Sequence, residues 1–515
     1  MNIGLIMSKN SIIKGTLILT LAGFTTRLIG FFYRIFLSNS LGAKNLGIYS
    51  LAFPIYGICF TLYGSGIQTA ISQLIAAEQG KNANSKNATN YQNKILKAGI
   101  LLSLSIALCL SFLVYGNAQI IATKILLEPE CAGSLRVLSY VFPFCGITAC
   151  INGYYLGLKK AGVPAATQLL EQVVRVTCVY VIAIYFGGED RRVTCELAMF
   201  GVVLGEIASN IFNILSLLFQ KRTTNNHSIG RRGIFSRLIG QTVPLTGNRL
   251  VISILHSFEA ILIPSMLQRS GLSNVEALSI FGILNGMAIP FILFPSTITN
   301  AFAVLLLPTV SEAQAKNNNS LISRTSSLSI KYSIIIGILS TAIFIIFGDT
   351  LGTFVFHNKQ AGIFITVLSW LCPLMYLTTT LGSILNGLGK AHLTFFNSVI
   401  GISIRIVFIL FLIPSRGIYG YLIGLLVSQL AITLLDLLAI WKNVTVHMNS
   451  IDWILKPSIV LLFLGFLTSK VYQYILSITQ ISGILILLSC CMVLCICFII
   501  MLFLTRAISI REFRS

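Results

Sequence analysis

Apolar stretches of about twenty residues or more follow one another along almost the whole chain, and that is the length a helix needs to cross the hydrocarbon core of a bilayer. Divided at their polar interruptions they give about fourteen helices, numbered 1 to 14 in chain order: 12–37, 47–77, 95–124, 134–158, 164–187, 195–219, 236–268, 276–308, 329–356, 362–388, 392–413, 417–441, 453–476 and 480–505. With 515 residues, 55% hydrophobic and 10% charged, and a mean hydropathy of +0.87, the composition excludes a water-soluble globular protein of this size. The expectation is an all-α polytopic membrane protein. Residues 12–37 are too long for the apolar core of a cleaved signal and no A-x-A-like site follows, so the first stretch is expected to remain as a helix.

The net charge of +21 would suit a nucleic-acid binder, but the placement of the charges points elsewhere. With a cytoplasmic N-terminus, inner segments hold 22 Lys/Arg and outer segments nine, while Arg27, Arg34, Arg175, Arg249 and Arg405 lie inside helices. This asymmetry is the positive-inside rule. It predicts a multi-pass protein of the cell membrane with both termini cytoplasmic, whose basic ends meet anionic lipid and no nucleic acid.

The chain is also duplicated. Gly157-Leu158-Lys159-Lys160-Ala161 precedes Arg175 at the spacing at which Gly387-Leu388-Gly389-Lys390-Ala391 precedes Arg405, an offset of 230 positions. Arg27-Leu28 in helix 1 returns as Arg249-Leu250 in helix 7, and Glu78 ending helix 2 returns as Glu312 ending helix 8. Between the copies lies a basic polar segment with Arg222, Arg231 and Arg232. The reading is an N-lobe at 1–220 (helices 1–6), a cytoplasmic linker at 221–235, a C-lobe at 236–445 (helices 7–12), and helices 13–14 with a basic tail at 446–515. Two six-helix parallel repeats plus two C-terminal helices is the architecture of alternating-access transporters. Pro54 and Gly64 in helix 2, and Pro290 and Pro295 in helix 8, are the candidate gate hinges, since a proline at membrane depth frees a carbonyl and bends the helix.

A charge inside hydrocarbon costs several kcal/mol, roughly 2.5–3.5 on insertion scales, so each intramembrane arginine is a candidate for function. Glu171 and Arg175 are four apart on one helix face and can pair. Arg405 has no acid near it in its own helix, and Asp436 on helix 12 is its candidate partner. Arg27 and Arg249 have no acid within a turn, and Arg34 shares a face with Arg27. A guanidinium stays charged and makes bidentate bonds to phosphate, so Arg27 and Arg249 are the first candidates to hold an anion, with Arg34, Arg175, Arg405 and Asn248 as secondary ones. Glu171, Glu206 and Asp436 are candidate coupling or charge-partner groups. The small polar residues nearby, Thr25, Thr26, Thr246, Ser253, Asn285, Thr297, Thr299 and Asn300, would line a hydrated groove or serve helix carbonyls.

No nucleophile elbow, Walker loop or His-Glu-x-x-His occurs, so no enzymatic activity and no cofactor are expected. The twelve cysteines lie mostly in helices, Cys490, Cys491, Cys495 and Cys497 in the last one, and the five histidines share no ligand spacing, so no metal site is expected.

The run Lys14-Gly15-Thr16 through Arg34, followed by Leu41-Gly42-Ala43-Lys44-Asn45-Leu46-Gly47-Ile48-Tyr49, resembles the opening of the stage V sporulation protein B group. Gly66-Ile67-Gln68-Thr69-Ala70-Ile71-Ser72, Asn152-Gly153-Tyr154-Tyr155-Leu156-Gly157, Pro308-Thr309-Val310-Ser311-Glu312-Ala313 and Leu385-Asn386-Gly387-Leu388-Gly389-Lys390 come after it in the same order. That group is in the polysaccharide and lipid II flippase branch of the multidrug/oligosaccharidyl-lipid/polysaccharide (MOP) exporter superfamily. The resemblance implies a MATE/MurJ-like fold and transport of an undecaprenyl-pyrophosphate-linked oligosaccharide, the peptidoglycan unit of spore cortex or cell wall. It also implies membrane lipids and cell-wall synthesis enzymes as partners, and cavity arginines at the positions of Arg27 and Arg249. Some relatives carry an acid directly after the first-helix arginine; here Leu28 stands there, which speaks against an Arg-Asp coupling pair at that site. The rivals are a cation-coupled multidrug antiporter on the same fold, using Glu171 or Glu206, and a non-transporting scaffold for cell-wall synthesis.

Overall fold

A computed structural model describes residues 2–82, 86–186, 193–219, 231–446, 449–478 and 483–508, and among them every regular element is a helix. In hydrocarbon each N–H and C=O must find its partner within the segment, which leaves the helix as the solution for an apolar chain without barrel strands. Twelve helices are long and apolar enough to cross a membrane, or thirteen when Cys131–Ser139 and Val141–Gly157, bent by 44°, count as one span. One of the twelve, Leu17–Glu78, is 62 residues long and contains both helix 1 and helix 2. Each of the stretches read from the sequence therefore falls on a span or on part of one, and the total depends on how the breaks are counted.

Three boundaries differ from the sequence reading for identifiable reasons. Helices 1 and 2 run together as Asn2–Phe60, divided by Gly42 at φ 75° and ψ 170°, a backbone state that glycine reaches without a Cβ clash. Helix 4 begins at Cys131 and is broken at Tyr140. Helix 9 begins ten residues earlier than its apolar stretch, at Asn319, because Asn318 caps it by accepting from Leu321 N at 3.0 Å. Lys331, near the start of the apolar stretch, lies three turns into helix 9 and is 5% exposed. Of the linker at 221–235, residues 221–230 lie outside the described residues, and 231–235 form the first turns of helix 7, Arg231–Arg269.

The chain forms two compact units: Met1–Gln268 with Ser273–Ser279, and Arg269–Leu272 with Ile280–Ser515. In the first, Ile67, Ile71 and Ile75 of helix 2 pack with Ile95 of helix 3, Ile151 and Tyr154 of helix 4, and Ile234 and Leu238 from the start of helix 7. In the second, Leu306, Val310, Ile334, Leu381, Ile384 and Ile440 form one cluster, while Ile335 of helix 9 packs with Val460 and Leu464 of helix 13 and Leu494 and Phe498 of helix 14. Helices 13 and 14 leave Leu462, Phe463, Phe466 and Met492 exposed, as lipid-facing surfaces do.

Of the four candidate hinge residues, Gly64 and Pro295 lie where the helix changes hydrogen-bond pattern, whereas Pro54 and Pro290 lie within helical turns. Helix 2 continues through Pro54 and loosens seven residues later into a π turn, Thr61–Ser65, that includes Gly64. Helix 8 has its own π turn at Ile283–Ala288, 222 positions on, the offset that relates Arg27 to Arg249. It then passes Pro290 and breaks before Ser296, with Pro295 as the N-cap residue of Ser296–Ala315. The carbonyls freed there are taken by neighbours: Ser296 Oγ donates to Leu293 O at 2.6 Å, Thr297 Oγ1 to Phe294 O, and Tyr376 OH to Ile292 O at 2.5 Å.

Candidate functional site

Four of the five intrahelical arginines, Arg27, Arg34, Arg175 and Arg249, belong to the first unit, together with Asn248, Glu171 and Glu206. Arg27 is exposed and makes no hydrogen bond or ion pair among the described residues. The hydroxyls beside it bond back to their own helix, Thr25 to Leu21 O at 3.0 Å and Thr26 to Ala22 O at 2.7 Å, so they supply no partner to its guanidinium. Arg34, also exposed, lies within electrostatic reach of Tyr49 and Arg175. Asn248 is exposed and has no hydrogen bond among the described residues.

Arg249 is exposed as well, but its Nη1 donates to the carbonyl of Ser65 at 2.6 Å, at the end of the helix 2 π turn. A π turn displaces the i→i+4 ladder and makes carbonyls available to side chains; Thr69 Oγ1 reaches the same Ser65 oxygen at 3.0 Å. The contact belongs to a row. Ser257 Oγ donates to Pro54 O at 3.1 Å, and Ser253 Oγ lies 2.9 Å from Thr61 Oγ1. Gly66 admits Thr246 so closely that an added Cβ would lie 3.3 Å from Thr246 Cα. Residues 249, 253 and 257 repeat every four positions and so share one face of helix 7, which runs antiparallel along helix 2. Of the polar residues read as groove lining, Ser253 and Thr246 make this contact, whereas Thr297 and Thr299 bond to carbonyls of helix 8 itself.

The Glu171–Arg175 pair forms as the spacing predicts, with both side chains 21% exposed. Arg175 Nε is shielded and has no hydrogen-bond partner among the described residues. Glu206 on helix 6 is 5% exposed and within electrostatic reach of both. Its Oε2 accepts from Ser209 Oγ at 3.4 Å, and Asn210 Nδ2 bonds Phe144 O at 2.7 Å and Thr148 Oγ1 at 3.4 Å. The cluster is a carboxylate among hydroxyls and an amide, beside an arginine already paired once.

In the second unit Asp436 is fully buried, and its Oδ1 accepts from Asn397 Nδ2 of helix 11 at 2.7 Å. Arg405 is half-buried with its Nε shielded. Asn397 escaped the sequence reading because a lone amide in an apolar helix carries no signal. The register does: Glu206 and Asp436 are 230 apart, as are Arg175 and Arg405, Thr148 and Thr378, and Thr167 and Asn397. Thr378 accepts from Gln429 Nε2 at 2.8 Å and lies 3.0 Å from Thr433 Oγ1, and Thr167 donates to Asn213 Oδ1 at 2.8 Å. Applied to every polar residue within the spans, the repeat offset would have found both clusters.

Residues 12–314 match the polysaccharide biosynthesis protein family. Stage V sporulation protein B of Bacillus subtilis (strain 168) is 27% identical over 91% of this chain and 91% of its own length. Among solved structures, lipid II flippase MurJ in an inward closed conformation superposes with a TM-score of 0.71 at 14% identity, covering 97% of this chain and 100% of that one. A multidrug resistance MATE family transporter of the MOP superfamily, in an inward-facing conformation, gives 0.65 at 17% identity, over 82% of this chain and 96% of the other.

Proposed function

Because the chain belongs to the polysaccharide biosynthesis protein family, we propose that it is a flippase of the MOP superfamily that carries an undecaprenyl-pyrophosphate-linked oligosaccharide across the plasma membrane by alternating access. Lipid II, for spore cortex or cell-wall peptidoglycan, is the substrate this reading favours, in keeping with a relative named for sporulation and a solved neighbour titled a lipid II flippase. Both termini are taken as cytoplasmic, following the Lys/Arg asymmetry. The protein binds and moves its substrate without chemistry on it, and cell-wall synthesis enzymes would act on either side of the step.

The observation that carries the proposal is the pair Arg27 and Arg249, two exposed guanidinium groups in apolar helices of one unit with no carboxylate bonded to either. A pyrophosphate offers acceptors of higher charge than the Ser65 carbonyl, and charge-assisted bonds are roughly twice as strong as neutral ones, so Arg249 would exchange the carbonyl for the substrate. Arg27 meets the anion without first releasing a partner. Asn248 adds an amide donor, and the polyprenyl tail stays in the bilayer.

The test is lipid II flipping in reconstituted vesicles. Arg27→Ala and Arg249→Ala are each expected to slow flipping at least about tenfold, the scale of one lost charge-assisted bond, with unfolding midpoints kept. Unchanged rates in both would remove them from the mechanism. The cation-coupled antiporter draws support from the buried Glu206; uptake of a cationic dye that is abolished by Glu206→Gln would favour it over the flippase.

A further inference from the structure

The second unit has a cavity of about 470 Å³ where helix 9 begins, lined by Asn319, Ser320, Ser323, Arg324, Ser327 and Thr445, with Leu328 at its apolar side. Arg324 is the one charged residue in that lining. It is exposed and makes no hydrogen bond or ion pair among the described residues. The acid that precedes it in the chain, Glu312, already holds Lys316 at 2.6 Å, and Asp452 at the start of helix 13 holds Lys456 at 2.6 Å. Ser327 adds an independent sign, because its Oγ is shielded and has no hydrogen-bond partner among the described residues. Ser323, 8% exposed, donates to the carbonyl of Thr445 and so fixes the loop after helix 12 as the opposite wall.

We propose that this cavity binds a phosphate-bearing anion at a site separate from the arginines of the first unit. Arg324 supplies the planar two-pronged donor, and Ser327 a hydroxyl with no other partner among the described residues. Both walls lie at the basic side of the chain, helix 9 after Lys316 and Thr445 after Lys442, where lipid headgroups and soluble phosphate are both at hand. A headgroup phosphate and free phosphate present the same oxygens, so the chemistry is common to the two sources.

The experiment uses the full chain in an uncharged detergent, titrated in one arm with phosphatidylglycerol and read by native mass spectrometry. In the other arm it is titrated with inorganic phosphate and read by the shift of the unfolding midpoint. Saturable binding in either arm that weakens roughly tenfold in Arg324→Gln, weakens less in Arg324→Lys and also weakens in Ser327→Ala supports the site. The arm that responds names the source. Wild-type binding by both Arg324→Gln and Ser327→Ala, or no saturable binding by the unaltered protein in either arm, overturns it. Both positions lie outside the set proposed to hold the transported substrate, so flipping that fails for Arg27→Ala leaves this result readable on its own.

Discussion

Tyr376→Phe deletes one hydroxyl from a ring that is 0% exposed in helix 10 and leaves the packing of the ring unchanged. That hydroxyl donates to Ile292 O at 2.5 Å, just before the break between Leu293 and Ser296. The backbone donors around the break are directed elsewhere: Phe294 N to Phe291 O, Thr297 N to Phe294 O and Ile298 N to Pro295 O, each at 3.1 Å. One other group reaches the carbonyl, Cys372 Sγ at 3.9 Å, and a thiol is a weak donor. An unpaired buried carbonyl costs ~1–3 kcal/mol, and hydrogen bonds between membrane helices average at the low end of such ranges. The expected loss is therefore about 1 kcal/mol, roughly a fivefold fall in the folded-to-unfolded ratio. Titration with sodium dodecyl sulfate in mixed micelles measures it. The same titration on Pro295→Ala and on the double variant completes a cycle, because Pro295→Ala restores an N–H and lets helix 8 run on, which relieves the carbonyl of its need for the phenol. Tyr376→Phe should then cost less in that background. A variant within about 0.3 kcal/mol of its parent in both backgrounds would refute the view that the break in helix 8 is closed by side chains of helix 10.

Asn397→Ala removes the amide bonded to a fully buried Asp436 and should destabilise by about 3 kcal/mol, with the loss largely recovered when Asp436→Asn is added; equal losses in both backgrounds would contradict the bond at 2.7 Å as the reason. Gly42→Ala places a Cβ on a residue at φ 75° and ψ 170° and should cost ~1–3 kcal/mol in the same titration, although nothing lies within 4 Å of that Cβ, so the penalty is conformational and not steric contact with neighbours.

Hydropathy made the spans legible because the bilayer offers no water to a polar backbone, and an apolar run of that length has few other uses. The same logic erred at helix 9, where the apolar stretch begins at 329 and the helix already at Asn319. The first turns from Asn319 carry Ser323, Arg324, Ser326 and Ser327, yet Ser323, Ser326 and Lys331 are buried, so hydropathy ended the helix where its polar residues begin and the helix itself does not end there. The π turns were not legible either. Thr61-Leu62-Tyr63-Gly64-Ser65 and Ile283-Leu284-Asn285-Gly286-Met287-Ala288 share a Leu-x-Gly and little more, and a one-residue change of hydrogen-bond register leaves no mark on composition. Proline was the visible signal, and it marked helices 2 and 8 as the ones that yield without marking the turn that does.

The Glu171–Arg175 pair was legible from its spacing, and the bond between Asp436 and Asn397 was not. Arg175 and Arg405 announced the repeat, and the acids at Glu206 and Asp436 obey the same offset, but their surroundings differ. Glu171, which pairs with Arg175, has Gly401 as its counterpart 230 positions on. There an added Cβ would overlap the end of Ile432, which would have to shift, while the backbone of helix 12 stays at contact distance, 3.5 Å at Ser428 O. The second copy has glycine where Glu171 stands one turn before Arg175, and Oδ1 of its acid, Asp436, accepts from Asn397. The two halves share a register of arginine and buried carboxylate but not a charge balance: two acids accompany Arg175, and one accompanies Arg405. The repeat therefore locates the architecture, and Arg27 and Arg249, related by the repeat and outside either cluster, are the residues proposed to meet a phosphate.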